Sequence, residues 1–500
     1  MEMMIANLAH GFGVALSFHN LMFALLGALI GTAIGVLPGI GPVATISLLL
    51  PLTFGVEPTT AIIMLAGIYY GSQYGGSTTA ILLNLPGEVS AVVTTLEGYK
   101  MARNGRAGAA LAIAALGSFF AGSVATILVA ASGPLLTSVA LSFGPADYFS
   151  LMLLGLIISA VLAQGSVIKA VGMVALGVGL GLIGTDVQTG QQRFTFGIPE
   201  LSDGLSFAAI AMGMFGIAEI VLNLEKPEAR NVLKTKIGQL WLTREEWSRA
   251  IPSVLRGTAV GSVLGILPGG GAALSSFGSY MMERRLSRGR NEFGTGAIEG
   301  VAGPESANNA ASQTSFIPLL TLGIPSNAVM ALMVGALIIQ GIQPGPRMVE
   351  AQPDLFWGLI ASMWIGNLML LVINLPMIGM WVKLLQVPYR FLYPSILIFC
   401  CVGVYSINNN VFDVYITILF AVFGYMCSKL KMEPAPLLIG FVLGPMMEEH
   451  LRRAMLLSRG DPMVFLERPI SATLLGIAAV ALLAMALPNL RKGKETALAG

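Results

Sequence analysis

The amino-acid sequence predicts an all-α polytopic membrane protein made of inverted-topology repeats with broken or re-entrant helices at Leu-Pro-Gly motifs. Three observations predict it. First, the 500 residues are 55% hydrophobic and only 11% charged, with mean hydropathy +0.79. A soluble domain carries about 25% charged residues, so this chain cannot cover a water-facing surface. Second, the run GTAIGVLPGIGP from Gly31 to Pro42 returns as GSVLGILPGGGA from Gly261 to Ala272, with six identities in register at an offset of 230. Third, basic residues follow opposite orders around these duplicated runs, as set out below.

The elements follow from the apolar runs. Residues 1–20 have no positive n-region and no small-residue cleavage site, so they read as an interfacial or first membrane segment and not as a signal peptide. Runs at 21–37, 42–54, 59–83, 107–132, 146–163, 167–184 and 204–222 form a first membrane repeat with additional helices, 21–222. A polar stretch, 223–253, reads as a cytoplasmic linker. A second repeat with additional helices, 254–450, holds runs at 254–267, 271–282, 305–322, 326–341, 355–380, 390–405, 411–428 and 434–447. A C-terminal helix at 468–488 and a tail complete 451–500. About 20 residues cross a bilayer, so the runs of 12 to 17 flanking each Leu-Pro-Gly fall short of that and read as half-helices or hairpins.

Lys and Arg mark cytoplasmic loops. They collect at 100–106, 226–256, 284–290, 383–390 and 429–431. The 185–203 loop then falls outside, with Asp186, Glu200 and Asp203 against Arg193. In the first half the link after the Leu-Pro-Gly run, 54–58, has no basic residue and the basic cluster follows a second signature, Leu82 to Val92. In the second half four arginines precede the matching signature, Leu319 to Val329, and the 343–347 segment after it is nearly uncharged. The same element thus appears in opposite orientation in the two halves. The second signatures align at an offset of 237, pairing Asn84 with Thr321. The C-terminal end does not parse: Arg452-Arg453 and Arg491-Lys492 both want the cytoplasm, yet one helix separates them.

Duplicated halves with helix breaks inside apolar runs point to a secondary transporter's binding site. A break at bilayer depth frees backbone groups, which is tolerated only where protein or a water-filled cavity satisfies them. The candidate substrate-binding set is Pro38, Gly39, Gly41, Ser77, Thr78 and Asn84 in the first half. The second half offers Pro268, Gly269, Gly271, Ser306, Asn308, Asn309, Thr314 and Ser315. Helix N-termini at the breaks suit an anion. Matched clusters of hydroxyls and amides are costly in a membrane unless they bind something. The plainer alternative is that such residues glue helices together. Glu305 is the acidic residue nearest the second cluster. It either ligates a coupling cation or proton, or caps a helix for which Pro304 and Glu305 would be first-turn residues. Glu88, Asp147, Asp203 and Glu219 lie near expected helix ends, where a solvated carboxylate is the default, and Asp413 reads as a cap. No metal site is expected beyond a transported Na+, and no cofactor: the three cysteines and three histidines make no ligand spacing. A net charge of +2 argues against nucleic acid, and the absence of a P-loop, HExxH or GxSxG argues against an enzyme. The string from Gly177 to Gly184 is helix packing and not a dinucleotide fold.

These motifs bring a resemblance. Gly31–Pro42, Tyr70–Thr79, Gly184–Gly190 with Arg193–Pro199, the Gly303–Asn309 string GPESANN and Gln343–Pro346 resemble the large membrane subunit of the tripartite tricarboxylate transporter family, from about residue 15 to about 485. The resemblance implies a bacterial inner-membrane, multi-pass permease. It implies as partners a small integral-membrane subunit and a periplasmic solute-binding protein, with a carboxylate (tricarboxylate such as citrate, or a related di- or monocarboxylate) as substrate and a Na+ or H+ gradient as driving force. No Arg or Lys lies at the paired breaks. Helix ends give at most about 2 kcal/mol each and hydrogen bonds to a charge about 1.5–3. Those terms hardly offset desolvation of a multivalent anion, so a co-bound cation has a physical role. The rival classes are a non-transporting scaffold or sensor and a passive anion channel.

Overall fold

The computed structural model describes residues 2–37, 40–140, 142–163, 166–186, 188–225, 240–267, 271–384 and 389–486. The expected binding residues Pro38, Gly39, Pro268 and Gly269 lie outside them, as does the basic tail at Arg491-Lys492. The regular structure of the described chain is helical apart from one two-residue strand pair (β1, Gly184–Thr185; β2, Gln192–Arg193). By length and composition six described helices can cross a membrane, including Phe18–Gly35, Pro145–Leu162, Phe207–Glu225 and Pro353–Asn374.

The first repeat begins after α1 (Glu2–Ala15) with α2 (Phe18–Gly35), α3 (Pro42–Leu49) and α4 (Pro58–Leu83), then α5 (Val92–Met101) and α6 (Ala107–Ala140). Helix α2 runs parallel to α4. Thr60 donates to Asn20 (2.5 Å) at one end and Thr79 donates to the Val36 carbonyl (2.6 Å) at the other. Between them a Cβ added at Gly27, Gly31 or Gly35 would sit 2.3–2.4 Å from the carbonyl oxygens of Met64, Ile68 and Ser72, so the two backbones touch. Helix α3 then returns to the starting side at 50–57. Helices α2 and α3 therefore form a re-entrant hairpin.

The central helices of the chain are α7 (Pro145–Leu162), α8 (Val167–Gly181) and α9 (Phe207–Glu225). The second repeat repeats the hairpin with α10 (Arg244–Leu264), α11 (Gly271–Leu286) and α12 (Glu299–Thr314), extended by α13 (Phe316–Leu322) and followed by α14 (Ala328–Ile339) and α15 (Pro353–Asn374). A Cβ at Gly257 or Gly261 would lie 2.2 Å from the carbonyl oxygens of Gly303 and Ala307, and one at Gly265 would lie 2.3 Å from Thr314 Oγ1. These glycines match Gly27, Gly31 and Gly35 at the 230 offset. Their contacts, however, match at 239: Met64 with Gly303, Ile68 with Ala307, Ser72 with Ala311. The same shift corrects the second signature. Asn84 (φ 59°) and Gly323 (φ 73°) are the left-handed C-caps of the two equivalent helices, so Asn84 pairs with Gly323 and not with Thr321. Glu88 (φ −150°, ψ 170°) and Asn327 (φ −157°, ψ 178°) then fall on equivalent N-caps.

The equivalent helices α4 and α12 run antiparallel. The Tyr70 ring lies beside Phe316 (centroids 6.2 Å), Gln73 bonds Ser312 and Ser77 bonds Glu305 (2.6 Å each). Gln73 and Ser312 are themselves equivalent at 239, so a pseudo-two-fold axis passes between them, perpendicular to two membrane helices. That is an inverted repeat, and it agrees with the order of the basic clusters.

Sidedness follows from loop contacts. Asn104 donates to the Thr295 carbonyl (3.1 Å), Lys100 to that of Gly294, and Arg249 pairs with Glu299 (2.8 Å) and Glu292 (2.7 Å). These gather 100–106, 244–249 and 286–299 on one basic face. On the other, Gln340 donates to the Thr53 carbonyl (2.8 Å). The last helices are α16 (Ile378–Leu384), α17 (Tyr389–Asn408), α18 (Val411–Lys429), α19 (Ala435–Leu457) and α20 (Pro469–Ala486). Arg452 bonds Asp186 (2.8 Å) and Glu448 (2.6 Å), and Arg193 bonds Glu448 (2.7 Å). Arg452 thus sits with the 184–203 loop on the face away from the basic clusters, its charge matched locally. Asp186 is held down to about 2, first by the Gln188 N–H, then by the Thr189 hydroxyl, with Arg452 adding to them.

Candidate functional site

The site lies where α4 crosses α12. Glu305 is in the second turn of α12, since that helix begins at Glu299, so the first-turn capping reading of Glu305 does not hold. The Glu305 carboxylate is buried and accepts from Ser77 Oγ (2.6 Å) and Thr94 Oγ1. Such short O–H···O⁻ contacts are charge-assisted. Glu88 is also no solvated end: it is half-buried and accepts from Ser90 Oγ and from Asn308 Nδ2 (3.2 Å). Among the described residues neither carboxylate pairs with a basic side chain. Asp147, expected at a solvated helix end, is instead fully buried, pairing with Arg468 (2.6 Å) and accepting the Gly144 N–H at the start of α7. Asp203 is exposed as expected. Asp413 stays in the first turn of its helix, but the cap is Asn410, whose Oδ1 accepts the Phe412 N–H (2.9 Å).

Several buried groups converge on the same crossing. Gln73 donates to Ser312, which leaves its Oε1 without a partner, and Asn308 donates to Glu88, which leaves its Oδ1 likewise free. Both side chains are almost fully buried. Because an amide oxygen can only accept, these are two unmatched acceptors beside two carboxylates. That donor set suits a hard cation, which takes carboxylate and carbonyl oxygens. Asn309 donates to Ser118 Oγ (2.6 Å) of α6.

The remaining expected residues divide between this crossing and the hairpin tips. Gly41 caps α3, and a Cβ on it would lie 3.7 Å from the Glu88 Cβ. Gly271 opens α11 with φ +50°, 3.4 Å in the same sense from the Asn327 Cβ. Ser315 donates to the Gly265 carbonyl (3.2 Å) and receives Asn327 Nδ2 (3.1 Å), while Thr314 packs on Gly265. Thr78 bonds its own helix (3.2 Å) and lines a cleft beside Glu305. Ser306 bonds the Ala302 carbonyl (2.7 Å) and faces Gly117 of α6. Asn84 is exposed. Sequence reading passed over Thr94 and Ser118, left Gln73 out of the binding set and took Glu88 for a solvated helix end. For Glu88 the signal was present: the offset that matches Pro86 with Pro325 also sets Glu88 against Asn327.

The cleft is narrow and is walled by α4, α6 and α12 with the end of α15 and the start of α16. Inverted halves, a broken hairpin in each, and a polar crossing at the two-fold describe a transporter core. The family model described as the tripartite tricarboxylate transporter TctA family matches residues 21–439, taking in both hairpins and the crossing. The chain belongs to the TctA family. It is therefore a membrane protein of tripartite transport systems. Two curated relatives come from Agrobacterium vitis. One, an uncharacterized 52.8 kDa protein in the TAR-I ttuC′ 3′ region, is 58% identical over 492 residues, covering 98% of each chain. The other, an uncharacterized protein in the TAR-II ttuC′ 3′ region, is 62% identical over 235 residues, 47% of this chain and 97% of that relative. No solved structure matches this TctA-family chain.

Proposed function

We propose that this chain is the permease subunit of a binding-protein-dependent system in a bacterial inner membrane, driving uptake of a small carboxylate with a cation gradient. One observation carries the coupling: Glu305 is buried at the two-fold crossing, held by hydroxyl donors, with no basic partner among the described residues. An anionic substrate at the hairpin tips sits near Glu88 and Glu305. A unit negative charge about 4 Å from a carboxylate is repelled by roughly 4 kcal/mol at an effective dielectric of about 20. A cation bound at Glu305 and Glu88, helped by Gln73 Oε1 and Asn308 Oδ1, removes that repulsion. Substrate then binds tightly only when the cation is present, which is what coupling requires. The substrate's carboxylates meet main-chain N–H groups at the starts of α3 and α11 and the hydroxyls and amides around Ser77, Asn308 and Ser315.

The test is reconstitution of this chain with its small membrane subunit and its solute-binding protein, followed by uptake of labelled citrate and other di- and tricarboxylates. Uptake driven by an inward Na+ or H+ gradient, and dependent on the binding protein, is the expected result. Equilibration without any gradient would mark a channel, and no uptake under any gradient would mark a scaffold.

A further inference from the structure

The cleft beside Glu305 has a composition that the substrate site does not explain. It runs along Ser77 and Thr78 of α4, past Leu111 and Ser118 of α6, to Asn374 at the end of α15. Leu111 is one turn from the start of α6, next to Arg106 and the basic face. Asn374 is the last residue of α15, whose other end carries Asp354 bonded to His10 (2.6 Å) on the far face. The cleft therefore lies in the half of the molecule toward the basic face, with Glu305 at its inner end. Its polar groups are hydroxyls, one carboxylate and one amide, and among the described residues no basic side chain lines it.

Asn374 is buried, and its Nδ2 donates to the Leu370 carbonyl (2.9 Å). A carbonyl accepts only a donor, which fixes the amide's orientation and leaves Oδ1 unpartnered. A low-dielectric cleft with one sign of charge focuses the field on ions of the opposite sign. We propose that this cleft is a cation-selective path between Glu305 and the basic face, with the Asn374 amide oxygen as a cation ligand at its outer end. Naming the traveller as the coupling cation rests on the function proposed above; the charge selectivity of the cleft does not.

The experiment uses the assembled complex in which Cys400→Ala, Cys401→Ala and Cys427→Ala have removed the native thiols, with Leu111→Cys as reporter and Ala115→Cys as a second reporter. Right-side-out and inside-out vesicles are treated with membrane-impermeant methanethiosulfonates, one carrying a trimethylammonium and one a sulfonate. Rates are normalised to a free thiol. The expected result is modification from the basic face, at least tenfold faster for the cationic reagent, with the ratio falling toward one in Glu305→Gln. Asn374→Leu, of similar volume, should slow the cationic reagent about fivefold and leave the anionic rate unchanged. Equal normalised rates for the two reagents, or modification only from the opposite face, overturns the path. An unchanged cationic rate in Asn374→Leu removes that residue from it. Charge selectivity in a complex whose uptake ignores both Na+ and pH gradients would overturn the coupling reading and leave the path standing; equal rates in a gradient-driven complex would do the reverse.

Discussion

At the residue scale Glu305 is a buried carboxylate whose donors are the Ser77 and Thr94 hydroxyls. A hydrogen bond to a charged group contributes about 1.5–3 kcal/mol. Ser77→Ala strips a donor that stabilises the free, charged carboxylate, so it is expected to tighten cation affinity by up to roughly 10- to 150-fold, read as a leftward shift in the cation dependence of uptake at unchanged protein abundance. Glu305→Gln keeps the shape and removes the charge; uptake should no longer follow the cation gradient, measured as equal rates with and without it. Asp186 supports a different prediction. Its pKa is depressed to about 2 from the usual value of about 3.9. The stability it contributes is complete above about pH 4 and is lost as pH falls through about 2. Asp186→Asn should lower the thermal midpoint of the detergent-solubilised protein at pH 5 to 7, with the difference from wild type shrinking as pH drops below 4. A constant difference down to pH 2.5 would contradict that assignment.

At the scale of elements, the hairpins were legible in the sequence because their cause is local. Pro38 and Pro268 lack the N–H a helix needs, and the apolar run after each is too short to span, so a break at each Leu-Pro-Gly was legible even though α2 itself is long enough to cross. The partners of those hairpins were less legible. Equivalent glycines stand 230 apart while the helices they touch stand 239 apart, and an alignment of apolar letters slid by two residues to pair Asn84 with Thr321. The left-handed caps at Asn84 and Gly323 decide the register, and left-handed geometry is not written in hydropathy. Glu305 was misplaced as a possible cap for a related reason. Pro304 suggested a helix start, whereas α12 begins five residues earlier and simply carries the proline inside. Two element-scale substitutions follow. Gly261→Ala sets a methyl 2.2 Å from the Ala307 carbonyl oxygen, an overpacking that costs typically 1–3 kcal/mol and should reduce abundance; Gly179→Ala, with nothing within 4 Å, should not. Arg249→Ala strips the partner from Glu299, a carboxylate only 1% exposed, and loss of one member of a buried pair costs about 3–5 kcal/mol. Its thermal midpoint should fall well below that of Arg453→Ala, whose pair with Glu449 is exposed.

The whole molecule has two faces, and each loop contact assigns segments to one of them. Single cysteines at Phe54, which is exposed, and at Asn104 should be labelled by an impermeant thiol reagent from opposite sides of the membrane. A cysteine at Arg453 should label from the Phe54 side, although two adjacent arginines argue for the other. The positive-inside pattern misled there because it counts Lys and Arg alone. Glu448, Glu449 and Asp186 neutralise that pair once α19 and the 184–203 loop meet. Glu448 and Glu449 stand one helical turn before their arginines and were there to be read, whereas the Asp186 contact is long-range and has no local sequence signal; counting Lys and Arg alone left the C-terminal end unparsed.

The glycine seams of α2 with α4 and of α10 with α12 also set the mechanics of transport. Backbones in direct contact leave no side-chain layer to shear, so neither hairpin can slide along its mate without forcing carbonyl oxygens into Cα atoms. Each hairpin and its partner helix must travel as one stiff body, and any motion between states concentrates at the α4–α12 crossing, where the contacts are hydrogen bonds that can be exchanged. Hydrogen–deuterium exchange should then be slowest along the hairpin side of each seam, 27–35 and 257–265, and should stay slow there when cation and substrate are added. A change in protection on ligand addition is expected instead at 72–79 and 305–314. Fast exchange along the seam at Gly27–Gly35 would mean that the hairpin itself, and not the crossing, is the moving part.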